Sequence, residues 1–322
     1  MNAELAERLV SLDEIRHAAE RIRPIVRVTP MVDVNAPAGH PLFLKCESLQ
    51  PGGAFKIRGA YNMVAQLTDQ QRRLGVVTYS SGNHGQALAL AARELQAPAV
   101  VVMPTTAPPI KVDGARRYGA EVIFAGTTSV ERRKRAEEEA EARGLTMVPP
   151  FDHEWIISGQ GTLGLEILEQ RPDVETVLVP IGGGGLAAGV AAAIKQTRST
   201  VRIIGVEPTG AAAMKASLEA GHPVTLPKTE SIADGLMPVR PGDLTFAHAR
   251  AFVDEVITVD DPQIIDAVLW LFTTAKIVAE PSGAATVAAA LTGAARGVTV
   301  AIVSGGNIGL ERLEELRQMR WR

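Results

Sequence analysis

Thr176-Val177-Leu178-Val179-Pro180-Ile181-Gly182-Gly183-Gly184-Gly185-Leu186-Ala187-Ala188-Gly189-Val190-Ala191-Ala192-Ala193-Ile194 is the stretch on which the fold turns. Residues 177–194 carry no charge and are as long as the shortest membrane span. Pro180 and the glycines at 182–185 and 189 would break a lipid-exposed helix. The segment therefore reads as a strand, a loop and a small-residue helix. Val177-Leu178-Val179 lacks in–out alternation, as expected of a strand covered on both faces.

The same unit recurs outward in both directions. Strand-like runs lie at 42–46, 75–79, 99–103, 120–124, 176–181, 201–206, 255–259 and 298–303, and Val100-Val101-Val102-Met103 again lacks alternation. Helical patterns at 57–67, 83–95, 130–143, 161–170, 186–197, 262–276 and 283–295 separate them. Such alternation predicts α/β architecture with open, mostly parallel sheets flanked by helices. Ahead of it, residues 1–26 read as a charged amphipathic helix in which Ser11-Leu12-Asp13-Glu14 forms a capping box. That region has no uninterrupted apolar core, so it is not a signal peptide. The charge-dense run Glu131–Arg143 reads as the wet face of a surface helix.

A chain of 322 residues suggests two lobes, and Pro149-Pro150 is a stiff crossing point between them. The expected division is a large domain of 1–68 and 152–322, with a small domain of 75–150 inserted in it. A hydrophobic share of 46% suits a soluble protein with a sizeable core, and a net charge of −3 leaves no footprint for nucleic acid. Cys46 is the only cysteine, which excludes a disulfide framework or a zinc cluster and fits a reducing, cytoplasmic location. No membrane association is expected.

Chemistry belongs at the carboxyl ends of such strands. Leu44 to Ala60 runs from a strand through the Pro51-Gly52-Gly53 turn to Phe55-Lys56 at a helix start. A lysine held there in low dielectric would have a free amine able to attack a carbonyl and form an imine. Taken alone, Lys56 is as readily a solvated lysine beside a turn. Ser80-Ser81-Gly82-Asn83-His84-Gly85 opens a helix whose N–H groups suit a carboxylate or a ring oxygen, although Ser-Gly-Asn is also ordinary turn chemistry. Gly182–Gly185 offers unobstructed N–H groups to a phosphate, without the Lys-Ser/Thr of a P-loop. Ser304 ends the last strand with a hydroxyl that suits a ring nitrogen, while Glu280 stands unremarkably at a helix boundary. An amine, a phosphate cup, a carboxylate loop and a ring partner together are the set that pyridoxal phosphate requires.

From Ile15 to Leu310 the chain resembles the fold-type II pyridoxal-phosphate enzymes, in the threonine dehydratase, serine racemase and 3-hydroxyaspartate dehydratase branch. The resemblance rests on Phe55-Lys56-Ile57-Arg58-Gly59-Ala60, Ser80–Gln86, Gly182–Gly185 and Ser304-Gly305-Gly306-Asn307, in that order. It implies two twisted sheets of the tryptophan synthase β kind, with no C-terminal regulatory domain. Lys56 would carry the coenzyme, with Phe55 against its ring, Asn83 at the ring hydroxyl, Gly182, Gly183, Gly184 and Gly185 at the phosphate, Ser304 at the ring nitrogen and Glu280 nearby. Ser80, Ser81, Gly82, Asn83 and His84 would hold the substrate, and Arg132 matches a pocket arginine able to pair with a second carboxylate. Ala54 departs from the family's usual serine.

A neutral partner such as Ser304 makes the ring a weaker electron sink than a carboxylate would, which favours prompt β-elimination. The expected function is thus a dehydratase converting a threonine- or serine-like β-hydroxy amino acid to a 2-oxo acid and ammonia. The alternatives are a serine or aspartate racemase, to which Ser81 tilts the chain as a second catalytic group beside Lys56, a 3-hydroxyaspartate dehydratase, or a non-catalytic amino-acid-binding protein. Relatives bind Mg²⁺, Mn²⁺ or Ca²⁺ through positions matched here by Glu207 and Ala211. Ala213 replaces the third ligand, so a weak site or none is expected, with Glu207 pairing with a cation instead and Asp234 within reach of the region. A homodimer or larger homo-oligomer is implied.

Overall fold

Each apolar run read as a strand forms one. The computed structural model describes residues 8–34, 39–80, 82–107 and 109–320. Within them lie β1 (Met31–Val34), β2 (Leu42–Cys46), β3 (Val76–Tyr79), β4 (Ala99–Met103), β5 (Glu121–Phe124), β6 (Thr146–Met147), β7 (Thr176–Pro180), β8 (Arg202–Pro208), β9 (Glu255–Val259) and β10 (Thr299–Val303). The helices are α1 (Leu12–Ile22), α2 (Ile57–Val64), α3 (Asp69–Leu74), α4 (Asn83–Glu94), α5 (Pro109–Arg117), α6 (Ser129–Arg143), α7 (Glu154–Gln170), α8 (Gly185–Thr197), α9 (Ala213–Ala220), α10 (Asp243–Phe252), α11 (Asp261–Trp270), α12 (Pro281–Ala289) and α13 (Leu310–Met319).

Six strands form one sheet in the order β1-β2-β10-β7-β8-β9, parallel except for β1 at its edge. Four form a second, wholly parallel sheet, β5-β4-β3-β6. β2, β4, β7 and β10 are buried at every residue, which explains why their sequences do not alternate. The loops leaving β2, β3, β7 and β10 at their carboxyl ends are the four singled out above.

Three helices meet at backbone contact. A Cβ on Gly159 of α7 would lie 2.7 Å from Arg58 O of α2, and one on Gly189 of α8 would lie 2.3 Å from Ile157 O of α7. This packing demands glycine, and it corrects one expectation: α7 begins at Glu154 and not at 161. The small residues that the contact requires had masked its period. The long patterns at 262–276 and 283–295 end as α11 and α12, each followed by a π-helical turn. α9 and α10 have no capping side chain at their N-cap positions, Ala212 and Gly242, because carboxylates from outside the helices bond their first amides. Glu207 accepts from Met214 N and Lys215 N, and Asp152 from Asp243 N, Leu244 N and Thr245 N. Among the described residues, no helix is long and apolar enough to cross a membrane.

Candidate active site

Lys56 follows the turn out of β2 and stands as the N-cap of α2. Gly53 has φ +73°, and a Cβ on it would fall 2.3 Å from Asn307 Oδ1, so only glycine lets this turn lie against the loop after β10. Three bonds strap the two loops together: Phe55 N donates to Ser304 O at 3.1 Å, Gly306 N to Gly53 O at 2.9 Å, and Asn307 Nδ2 to Gly52 O at 2.8 Å. Lys56 Nζ donates to Pro150 O at 2.8 Å and stands 5.1 Å from the centre of the Phe55 ring. Burial lowers this amine's pKa to about 8.

The loop after β3 joins the same cluster. Asn83 Oδ1 accepts from Asn307 Nδ2 at 2.9 Å, and Asn83 Nδ2 donates to Glu280 Oε1. Burial raises the Glu280 carboxyl to about 7, against the pull of Lys111. Ser80 Oγ accepts from Gly82 N at 3.1 Å, holding the turn. His84 is buried with Nε2 3.1 Å from Val148 O. A carbonyl can only accept, so Nε2 carries the proton and Nδ1 is left as a bare acceptor with no partner among the described residues. Burial, and then the charge on Lys56, push the ring's pKa down to about 3, so His84 is neutral at pH 7. Ser81 lies outside the described residues.

In the loop after β7, folding itself requires the glycines. A Cβ on Gly183 would lie 2.2 Å from the Phe151 ring, and Gly184 takes φ +96° with Thr245 Cβ 2.9 Å from its would-be Cβ. Thr245 Oγ1 donates to Gly183 O at 2.7 Å. The N–H groups of Gly183, Gly184, Gly185 and Leu186 find no acceptor among the described residues, at the positive end of the α8 dipole. Ser304 Oγ is buried and makes only a long contact, 3.4 Å, to Ser282 O. An uncommitted amide cradle, a lysine of lowered pKa and a nearly free buried hydroxyl fit pyridoxal phosphate.

Pro150-Phe151 connects these parts, since Pro150 O takes the lysine and the Phe151 ring fills the space beside Gly183. The motif reading missed Phe151, although its place directly after the Pro149-Pro150 crossing was a usable signal. Lys111 was missed as well.

Other expected residues are placed differently. Among the described residues Glu207 forms no ion pair: its oxygens accept from the α9 amides at 2.8 and 2.9 Å, while Lys215 Nζ bonds Glu219. Ala211 and Ala213 are buried beside it, without side-chain oxygens to offer. Asp234 does not turn toward Glu207, because Lys111 Nζ and Ser282 Oγ engage its carboxylate. Among the described residues, no group of three or more His, Cys, Asp or Glu side chains could hold a metal. Arg132 is half-buried and donates to Thr127 O at 3.1 Å, with the charge of Glu131 beside it.

Beneath the lysine lies a buried charge cluster. Arg58 is fully enclosed; its Nε and Nη2 hold Glu47 at 2.7 and 2.8 Å, and its Nη1 and Nη2 hold Glu166 at 2.7 and 3.0 Å. Lys45 Nζ adds a bond of 2.6 Å to Glu166 and one of 2.8 Å to Thr29 O. Burial alone would raise the Glu47 carboxyl, but Arg58, Thr29 and Lys45 together outweigh it and hold the pKa below the usual value.

The family model described as pyridoxal-phosphate dependent enzyme matches residues 22–305. A serine racemase of Oryza sativa is 44% identical over 315 residues, spanning 94% of this chain and 93% of its own. An L-threonine ammonia-lyase of Thermotoga maritima is 42% identical over 313 residues, spanning 96% and 78% respectively. The solved structure of maize serine racemase matches with a TM-score of 0.91 and 41% identity, over 98% of both chains.

Proposed function

As the chain belongs to the pyridoxal-phosphate dependent enzyme family, in its fold-type II branch, we propose that it is a dehydratase. It would eliminate water from a serine- or threonine-like amino acid, and hydrolysis of the released enamine by water would give a 2-oxo acid and ammonia. The observation that carries this reading is that Pro150-Phe151 joins the two halves of the site: Pro150 O takes the Lys56 amine while Phe151 fills the space beside Gly183 and Gly185. Lys56 would anchor the coenzyme, Phe55 would pack on its ring, and Gly182–Gly185 would take its phosphate. Asn83, backed by Glu280, would face the ring hydroxyl, and Ser304 the ring nitrogen. When bound, the coenzyme supplies an electrophilic carbonyl carbon and a ring that withdraws electrons from the substrate's Cα.

The protein's own groups would do the rest. The Ser80–His84 loop would hold the α-carboxylate through N–H groups at the start of α4. Neutral His84 would present Nδ1 as an acceptor for a substrate N–H or O–H. Lys56 Nζ would remove the α-proton, a task suited to an amine titrating near neutrality. Because its folded-state value of about 8 lies below the usual 10.5, the free amine dominates above pH 8. Attachment of pyridoxal phosphate to the apoprotein should therefore accelerate with rising pH and level off about one unit above that midpoint. Stopped-flow absorbance reads this directly, and a midpoint above about 10 contradicts the placement of Lys56.

A second reading, amino-acid racemisation, has in its favour a serine at position 81, which the family resemblance makes a second proton-exchanging group alongside Lys56 in function, together with the racemase relatives. Arg132, whose family match is a pocket arginine able to pair with a second carboxylate, supports 3-hydroxyaspartate as one candidate substrate. An intact Lys56 speaks against a merely binding role. Purified protein given L-serine, L-threonine and the 3-hydroxyaspartate isomers should release 2-oxo acid and ammonia from at least one of them. Ser81→Ala should abolish any racemisation while keeping elimination from the L-isomer within about threefold. Loss of both together would sink the role given to Ser81, and no 2-oxo acid from any of these would sink the dehydratase. We further infer a large domain of 1–68 and 152–322 around a small one of 75–150, and a cytoplasmic homodimer or larger homo-oligomer; the family resemblance supports both.

A further inference from the structure

Lys111 lies on α5, beside the smaller sheet, and is only 5% exposed. Its Nζ bonds Asp234 Oδ2 and stands 3.9 Å from Glu280 Oε2. Asp234 opens a 3₁₀ turn between α9 and α10, and Glu280 is the N-cap of α12, so both acids belong to the larger sheet's side. Among the described residues, these are the only ion pairs that join 76–147 to the rest of the chain. The same side chain backs the substrate loop: a Cβ on Gly82 would lie 2.8 Å from Lys111 Cδ and 3.0 Å from its Nζ. α5 is pinned to α4 as well, since a Cβ on Gly114 would meet Gln86 Oε1 at 2.2 Å.

We propose that Lys111 is a positioning residue, an electrostatic latch that holds Gly82, the start of α4 and α5 against the 234–236 turn and α12. The two acids divide the work. Asp234 has 40% of its side chain exposed and Glu280 has 4%, so the seam can part at Asp234 while the enclosed cation keeps Glu280. A buried ammonium left without any acid would be strongly disfavoured. The contacts continue to the far loop: Ser282 Oγ reaches Asp234 and accepts from Gly235 N, and Ser282 O lies 3.4 Å from Ser304 Oγ. The latch thus registers the substrate loop on the loops around Ser304 and Glu280. This inference rests on the reading that residues 80–84 bind the substrate carboxylate.

The test is amide hydrogen exchange of residues 82–88 in the coenzyme-loaded protein without substrate, paired with steady-state kinetics, for Lys111→Met, Lys111→Arg and Asp234→Asn. Lys111→Met should speed exchange about tenfold or more, raise KM about tenfold and lower kcat less than about threefold. Lys111→Arg should restore exchange to near wild type, and Asp234→Asn should shift it in the same direction as Lys111→Met by a smaller amount. Unchanged exchange in Lys111→Met overturns the latch, and faster exchange with an unchanged KM overturns its positioning role. Should Lys111→Met fail to fold, Asp234→Asn decides by the same two readouts. Exchange needs no turnover, so failure of the dehydratase reading and failure of the latch remain distinguishable.

Discussion

Lys56→Ala should lower turnover by roughly a thousandfold or more, because one atom, Nζ, is given two tasks. On the proposed assignment the substitution would remove both the covalent anchor of the coenzyme and the base at the substrate's Cα. It should cost little stability, since among the described residues the amine makes a single hydrogen bond, to Pro150 O, and its burial is itself unfavourable. Borohydride treatment of the loaded wild-type protein should fix the coenzyme's mass on the peptide containing Lys56, and the variant should gain none. A variant that kept a tenth of wild-type turnover, or a mass increment on some other lysine, would refute the assignment.

The second large effect is on stability. Arg58→Met should destabilise the fold by about 3–5 kcal/mol, the usual cost of stranding a buried charge. Glu47 is fully buried and would lose its guanidinium, retaining Thr29 Oγ1 and Gln50 Nε2 as hydrogen-bond donors. In a chain of this size that corresponds to a drop in Tm on the order of 10 °C, measured by calorimetry. Arg58→Lys should fall between, because an ammonium cannot bond both carboxylates in the paired geometry of a guanidinium. Replacing Glu47 together with Arg58 by apolar residues should recover part of the loss, which separates the stranded charge from lost packing. A fall of less than about 2 °C in Arg58→Met would show that the cluster contributes little.

Much of this site could be read in the chain because its chemistry is carried by short runs. Lys56 behind two turn glycines, Asn83 at a helix start and Gly182–Gly185 between a strand and a helix each leave a local mark. β2, β4, β7 and β10 were equally plain as uninterrupted apolar runs. What stayed hidden depends on contacts that only the fold makes. α10 owes its start to Asp152, 91 residues before Asp243, and α9 to Glu207, which lies seven residues before Met214 and outside the usual capping spacing. Four residues of β1 are too short and too half-buried to show a period. Lys111 sits in a sequence with no motif, and only the fold brings it to Asp234 and Glu280. Glu207 was singled out for a cation, yet the nearest demand on it comes from two backbone amides.

The four-glycine loop carries one more consequence. Phe151 and Thr245 occupy the volumes that side chains at Gly183 and Gly184 would need, so apolar packing moulds the cradle before any ligand arrives. Its backbone is fixed by its neighbours, so little freedom would be surrendered by an anion docking there. On the proposed assignment, affinity for the phosphate group would be a by-product of how the interior closes, and a change at Phe151 should loosen it.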